Sequence, residues 1–294
     1  MIYGRAGGPW HSQKRWGVER QESSPYTDME PLVLSRSANG VGRLTFNRPD
    51  QRNAMSSQML AQFHEKLQEL DADPGVRCIV IDGAGGNFVA GGDVKAWAQL
   101  KGKSASERSQ DFKARLGTAL PTAKLFDSID KPLIAAIRGY SIGAGLSFVL
   151  AADFVIADET AMLVFAHIRM GLVPDMGLTY YLSRVVGERR ALQLTLLGSQ
   201  LDAQRAKEIG LVYDVVAPDA LEDAIAGLTA KIIAAPARAA AETKRLLRLC
   251  RHNTFVSQFN AEIEGVASCV ADDDFMEAVN AFSERRQPKF GRGS

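Results

Sequence analysis

The chain has 294 residues, 46% of them hydrophobic, 23% charged and 7% aromatic. This is the usage of an ordinary globular protein, not of a disordered, collagen-like or disulfide-stapled one. Lys plus Arg number 35 and Asp plus Glu 34, a balance that argues against nucleic acid and membrane as partners. Cys78, Cys250 and Cys269 form no CxxC pair, which fits inert thiols in a reducing, cytoplasmic compartment.

Residues 1–28 lack an apolar period and carry no acid before Glu19. They read as a disordered extension or a misplaced start, with Met29 as the alternative initiator. From Met29 the pattern is regular. PLVLSRSANGVGRLTFNR predicts two strands joined at Asn39-Gly40, the dipeptide that favours a tight hairpin. Leu60, Phe63, Leu67 and Leu70 then recur at helical spacing behind a cap at Ser56 or Ser57. RCIVIDG and PLIAAIRG predict buried strands, separated by a polar helical region over roughly 104 to 127. DFVIAD and MLVFA predict two more strands, and everything after them reads as helical. Strands alternating with helices define an α/β class. The expected organisation is an extension (1–28), a core (29–218) and a C-terminal helical region (219–294).

Four constellations bear on chemistry. GYSIG, residues 139–143, fits G-x-S-x-G between a strand and a helix, the setting of a nucleophilic serine. Ser141 with Asp175 or Asp202 and His252 would complete a triad, although no HGGG-type segment precedes it. GAGG, residues 83–86, follows a strand, but Phe88 stands where a dinucleotide fingerprint needs glycine. No P-loop, HExxH or Cys/His cluster is present, so neither nucleotide phosphate nor metal is expected.

FVAGGDV (88–94) and GYSIGAGLS (139–147) are glycine-rich turns whose N–H groups could converge on one developing oxyanion; tight packing explains them equally well. Last, HIRMGLVPDMG (167–177) places Asp175 in an apolar turn, as a helix N-cap or as a general base.

Taken in order, NRPDQRNAM (47–55), FVAGGDV, GYSIGAGL, GLVPDMG and the ending AFSERRQPKF resemble the enoyl-CoA hydratase/isomerase family, the crotonase superfamily. The resemblance covers about Met29 to Phe290. It implies an α/β spiral of ββα units with a C-terminal helical trimerisation region, assembled as a homotrimer or a hexamer. It also implies an acyl-CoA thioester substrate, with coenzyme A part of that substrate and no separate cofactor. The oxyanion donors become the backbone N–H groups of Gly92 and Ala144. Gln51, Arg52 and Ala54 fall in the loop laid against the coenzyme A adenine and pantetheine, and Ala90, Gly91, Asp93, Val94 and Ile142 are further coenzyme A-binding positions.

The departures from the family pattern decide the expected reaction. The two hydratase glutamate positions hold Ser147 and His167. Asp175 occupies the place of the single proton-shuttling acid of family isomerases, while His167 stands where a dehalogenase branch has tryptophan. The sequence therefore favours an enoyl-CoA isomerase with Asp175 as base, the Gly92 and Ala144 donors, and His167 as a further catalytic-site residue lining the acyl pocket. Hydration with His167 or Ser147 in unusual roles, other thioester chemistry and a noncatalytic acyl-CoA-binding trimer are the alternatives.

Overall fold

The computed structural model describes residues 31–291; the expectations for 1–28 and Met29 lie outside them. Strands β1 (Val33–Ala38) and β2 (Val41–Phe46) pair antiparallel. Asn39 and Gly40 join them with φ of 52° and 80°, the left-handed pair that matches strand twist in a two-residue hairpin. Helix α1 (Ser57–Ala72) begins at Ser56, whose side chain accepts from the Met59 N–H, and buries Met59, Leu60, Phe63, Leu67 and Leu70.

After β3 (Cys78–Gly83), the polar region forms α2 (Ala105–Gly117) and α3 (Leu120–Ser128). Pro121 in the first turn of α3 explains the division, because proline fits there and not in a helix interior. There follow β4 (Leu133–Ile137), β5 (Tyr140–Ile142), α4 (Ala144–Ala151), β6 (Phe154–Asp158) and β7 (Met162–Val164). The chain continues through α5 (Leu178–Val186), α6 (Glu188–Leu196), β8 (Gln200–Asp202), α7 (Ala203–Glu208) and β9 (Asp214–Val216). It ends in α8 (Leu221–Ile233), α9 (Ala237–Leu249), α10 (Phe255–Val270) and α11 (Asp273–Ser283). The all-helical expectation after β7 is thus corrected by β8 and β9, each three residues long and too short to show a period.

The strands form a six-stranded sheet in the order β1-β2-β3-β4-β6-β9 and a three-stranded sheet β5-β7-β8. Beyond the first hairpin every pairing in the larger sheet is parallel. β4 and β6 lie in the larger sheet, while β5 and β7, next in the chain, pair parallel in the smaller one. Isolated parallel bridges, Met55 with Gly92 and Val89 with Ser141, carry the second layer back through earlier parts of the chain. Successive passes thereby lie side by side, which brings residues near 55, 91 and 142 to one place.

All five residues of β4 are buried because both faces of that strand are covered. Ile134 and Ala136 pack with Ile225 and Leu228 of α8, whereas Leu133, Ala135 and Ile137 face the main core. That core holds an aromatic cluster in which Phe46 lies 5.1 Å from Phe63, 5.8 Å from Phe88 and 5.2 Å from Phe148 between ring centroids. Phe88 opens the first glycine-rich segment and Phe148 lies in the helix after the second, so one cluster supports both.

Candidate active site

The first glycine-rich turn is joined by backbone bonds to the loop that precedes α1. Ala90 N–H donates to Arg52 O at 3.0 Å, Met55 N–H to Gly91 O at 2.7 Å, and Asp93 N–H to Met55 O at 3.1 Å. In that pattern the bonded groups belong to Gly91 and Asp93, and Gly92 N–H has no acceptor among the described residues. The second turn docks on the first: Ile142 N–H donates to Val89 O at 2.9 Å, and Gly143 N–H to Val164 O at 3.1 Å. A Cβ on Gly145 would stand 2.3 Å from Val89 O, so close approach of the two segments requires glycine there. Ala144 is the first residue of α4, and its N–H likewise has no acceptor among the described residues. A free N–H at a helix start carries the positive end of the helix dipole.

Asp175 approaches from a third segment. The N-cap of α5 is Gly177, with no side-chain bond, so the reading of Asp175 as a side-chain cap is corrected. Asp175 supplies only its carbonyl, which accepts from Leu178 N–H at 2.9 Å. Met176 and Gly177, at φ of 49° and 82°, turn the chain sharply after it. The left-handed conformation costs a residue such as Met176 about 1–2 kcal/mol. The carboxylate is thereby directed toward His167, whose Nε2 lies 3.5 Å from Asp175 Oδ1. Ser147 Oγ donates to Asp175 O at 3.2 Å. The two positions that differ from the hydratase pattern therefore both touch Asp175, one at its side chain and one at its backbone.

Gly92, Asp93, Ala144, Asp175 and Met176 line one cavity of about 190 Å³, with Met55, Leu60, Trp97, Phe112 and Arg115 among its other walls. His167 and Ser147 are not among the lining residues and sit behind the Asp175 segment. Asp93, the other acid of the cavity, is already committed: it caps Ala96 N–H at 3.3 Å and pairs with Arg48 at 3.2 Å. Two unpaired N–H donors and a carboxylate whose side chain meets only His167, at 3.5 Å, on one cavity can hold a developing oxyanion and exchange a proton with the carbon beside it.

Asn53 is the component the sequence reading missed. It is fully buried at φ 57° and donates to Ala84 O at 2.9 Å and Asn87 O at 2.8 Å, while its Oδ1 accepts from Arg48 N–H at 2.8 Å. It ties the loop of Gln51, Arg52 and Ala54 to the GAGG turn, where a Cβ on Gly85 would meet Pro49 Cβ at 2.4 Å. The available signal was an asparagine in a turn, the residue that best tolerates the left-handed region. Of the remaining loop residues, Gln51 and Ala54 accept from the Arg48 guanidinium, and Arg52 lies 5.7 Å over the Tyr140 ring. Val94 is exposed, and Ile142 O packs against Gly91.

The serine-triad constellation does not assemble. Ser141 is fully buried within β5 and its Oγ has no hydrogen-bond partner. Asp202 caps α7 through Arg205 N–H at 2.7 Å, and His252 contacts Tyr180 Oη at 3.5 Å.

A family model for enoyl-CoA hydratase/isomerase matches residues 36–293, and the chain belongs to that family. It is 32% identical over 262 residues to 1,2-epoxyphenylacetyl-CoA isomerase of Escherichia coli, covering 89% of this chain and 99% of that one. It is 31% identical, with the same coverage, to 2,3-dehydroadipyl-CoA hydratase of the same organism. The crystal structure of an enoyl-CoA hydratase from Mycobacterium smegmatis superposes with a TM-score of 0.80 at 32% identity, covering 89% of this chain and 99% of that one. The fold is the α/β crotonase fold with its C-terminal helices, and the protein is an enzyme acting on acyl-CoA thioesters.

Proposed function

We propose that this enzyme isomerises an enoyl-CoA, moving the double bond from the 3- to the 2-position. Gly92 and Ala144 N–H groups would form the oxyanion hole around the thioester oxygen. Asp175 would remove a proton from the α carbon, giving an extended enolate, and return it at the γ carbon. Two donors in a site shielded from water contribute roughly 3–4 kcal/mol each to stabilising that enolate. Gln51, Arg52 and Ala54, with Ala90, Gly91, Asp93, Val94 and Ile142, would hold the coenzyme A portion and flank the thioester.

The observation that carries this reading is the commitment of Asp93 to Ala96 and Arg48, which leaves Asp175 as the cavity's one available carboxylate. One base suffices for a shuttle between two carbons of the same chain. Hydration ordinarily needs an acid and a base together, and Ser147 and His167 present neither to the cavity. A panel of 2-enoyl, 3-enoyl and aryl coenzyme A esters, followed at the thioester absorbance, tests the assignment. Turnover of 3-enoyl esters is expected; rapid hydration of 2-enoyl esters would overturn it.

The same reading includes assembly as a homotrimer or a dimer of trimers. Phe255, Phe259 and Ile263 of α10 and Phe282 of α11 are 81%, 54%, 52% and 86% exposed in the single chain, more apolar surface than isolated proteins usually leave uncovered. Light scattering at micromolar concentration would report a multiple of three chains.

A further inference from the structure

The cavity that Asp175 lines also holds a cationic residue that a simple enoyl chain does not use. Trp97 stands against the first glycine turn, its Cζ2 being 3.0 Å from where a Cβ on Gly92 would lie. Its ring meets Phe112 edge-on at 5.2 Å, and the Arg115 guanidinium lies 5.9 Å from the Phe112 centroid. All three belong to the 3-10 turn at Val94–Leu100 or to α2, and Phe112 and Arg115 both line the cavity. Arg115, half-buried, is thus one of the residues that line the cavity.

Among the described residues that guanidinium has neither a carboxylate partner nor a hydrogen bond. The acids nearest in sequence are engaged elsewhere. Glu107 accepts from Ser104 N–H at 2.7 Å in the capping box of α2, and Asp111 pairs with Lys103. Asp93, across the cavity, is held by Arg48. An arginine in a mostly apolar chamber gains most from a planar anion, which its fork binds through two parallel hydrogen bonds. The chamber is small, about 190 Å³, which suits a short acyl group.

We infer that Arg115 is a specificity-determining residue that binds the distal carboxylate of a short dicarboxylic acyl group whose other end is the coenzyme A thioester. The inference rests on the acyl-CoA site described above but not on which reaction occurs there. The Trp97–Phe112 edge packs against the methylene chain, and the guanidinium meets the anion that a monocarboxylic acyl chain lacks. Neutral acyl groups of equal length enter the same chamber without that contact.

Calorimetric binding of saturated thioesters separates recognition from turnover. Succinyl-, glutaryl- and adipyl-CoA are compared with butyryl-, pentanoyl- and hexanoyl-CoA on the full-length protein and on Arg115→Met, which keeps the length and apolar stem of the side chain. The wild-type protein is expected to prefer one dicarboxylic member over its neutral counterpart by about 10- to 100-fold, the range for a charged hydrogen bond. Arg115→Met should erase that preference while leaving the neutral thioester's affinity within about twofold, and Arg115→Lys should retain part of it. Equal affinity for each pair in the wild-type protein, or a preference unchanged in Arg115→Met, overturns the proposal. So would tighter binding of phenylacetyl-CoA than of any dicarboxylic thioester, which would assign the aromatic wall to a ring. Preference without 3-enoyl turnover would instead sink the isomerase assignment and leave this one standing.

Discussion

His167 Nε2 stands 3.5 Å from Asp175 Oδ1, with the imidazole 8% exposed and the carboxylate 27%. The pair is layered: the carboxylate lines the cavity and the ring lies behind it. The opposite ring nitrogen, Nδ1, is buried without a hydrogen-bond partner, so the ring's polar contact is with Asp175 alone. This makes His167 a positioning residue for the base. Asp175→Asn keeps shape but removes the proton acceptor, and kcat for 3-enoyl thioesters should fall by about 10² to 10⁴ with little change in ligand affinity. His167→Phe should lower kcat by about tenfold, with KM nearly unchanged, because the carboxylate loses its orientation and not its chemistry. Near-normal activity in Asp175→Asn alongside an inactive His167→Phe would reverse the two roles.

Ala144 allows a clean test of the second donor. It is the first residue of α4, in the first helical turn, where proline is well tolerated because the N–H groups there have no helical acceptor. Ala144→Pro therefore deletes the N–H with little cost to the helix. Its kcat is expected to drop by about 10² to 10³ while far-ultraviolet circular dichroism and coenzyme A ester binding persist. Unchanged turnover in a folded variant would remove Ala144 from the oxyanion hole.

How much of this was readable from the residues follows from the range of the forces involved. The Asn39-Gly40 hairpin and the Ser56 cap are local, and each forms as its own residues dictate, whereas the second glycine turn is shaped by a distant contact, Gly145 against Val89 O. The role of Asp175 is not local. Sequence neighbours suggest a helix cap, but Gly177 takes that place, and the carboxylate's partner is eight residues earlier in the chain. Strands β8 and β9 exist because β7 and β6 offer them edges, not because of their own period. Asn53 shows in the sequence only as an asparagine in a turn and Arg115 shows no signal; their meaning depends on segments 31 or more residues away for Asn53 and on a shared cavity for Arg115.

Asn53 should prove expensive to remove. Replacing it with alanine leaves Arg48 N–H, Ala84 O and Asn87 O without their partner, and places alanine in the left-handed region at φ 57°. Buried groups stripped of partners cost about 1–3 kcal/mol each, although some will find water. A loss of about 2–4 kcal/mol in urea unfolding is expected for Asn53→Ala, together with a raised KM as the loop of Gln51, Arg52 and Ala54 loosens. A loss under about 1 kcal/mol would show that the loop is held by other contacts.

The last prediction concerns pH and the anchoring of α9. Lys244 Nζ donates to Lys131 O and to Asp153 Oδ2, both at 2.6 Å, and its side chain is 9% exposed. Burial pushes the amine down to about 8 from its ordinary 10.5, against the opposing pull of Asp153. In the unfolded chain the amine keeps its proton up to the ordinary value, whereas in the folded chain it releases it near 8. Between those two values the unfolded state binds more protons, so this group's contribution makes stability rise with pH. The rise should be of order 1–3 kcal/mol across the window. Lys244→Met has no such proton to lose. Urea midpoints measured from about pH 7.5 to 10 should therefore climb more steeply in the wild-type protein than in Lys244→Met, and parallel profiles would show that the buried amine keeps its proton throughout.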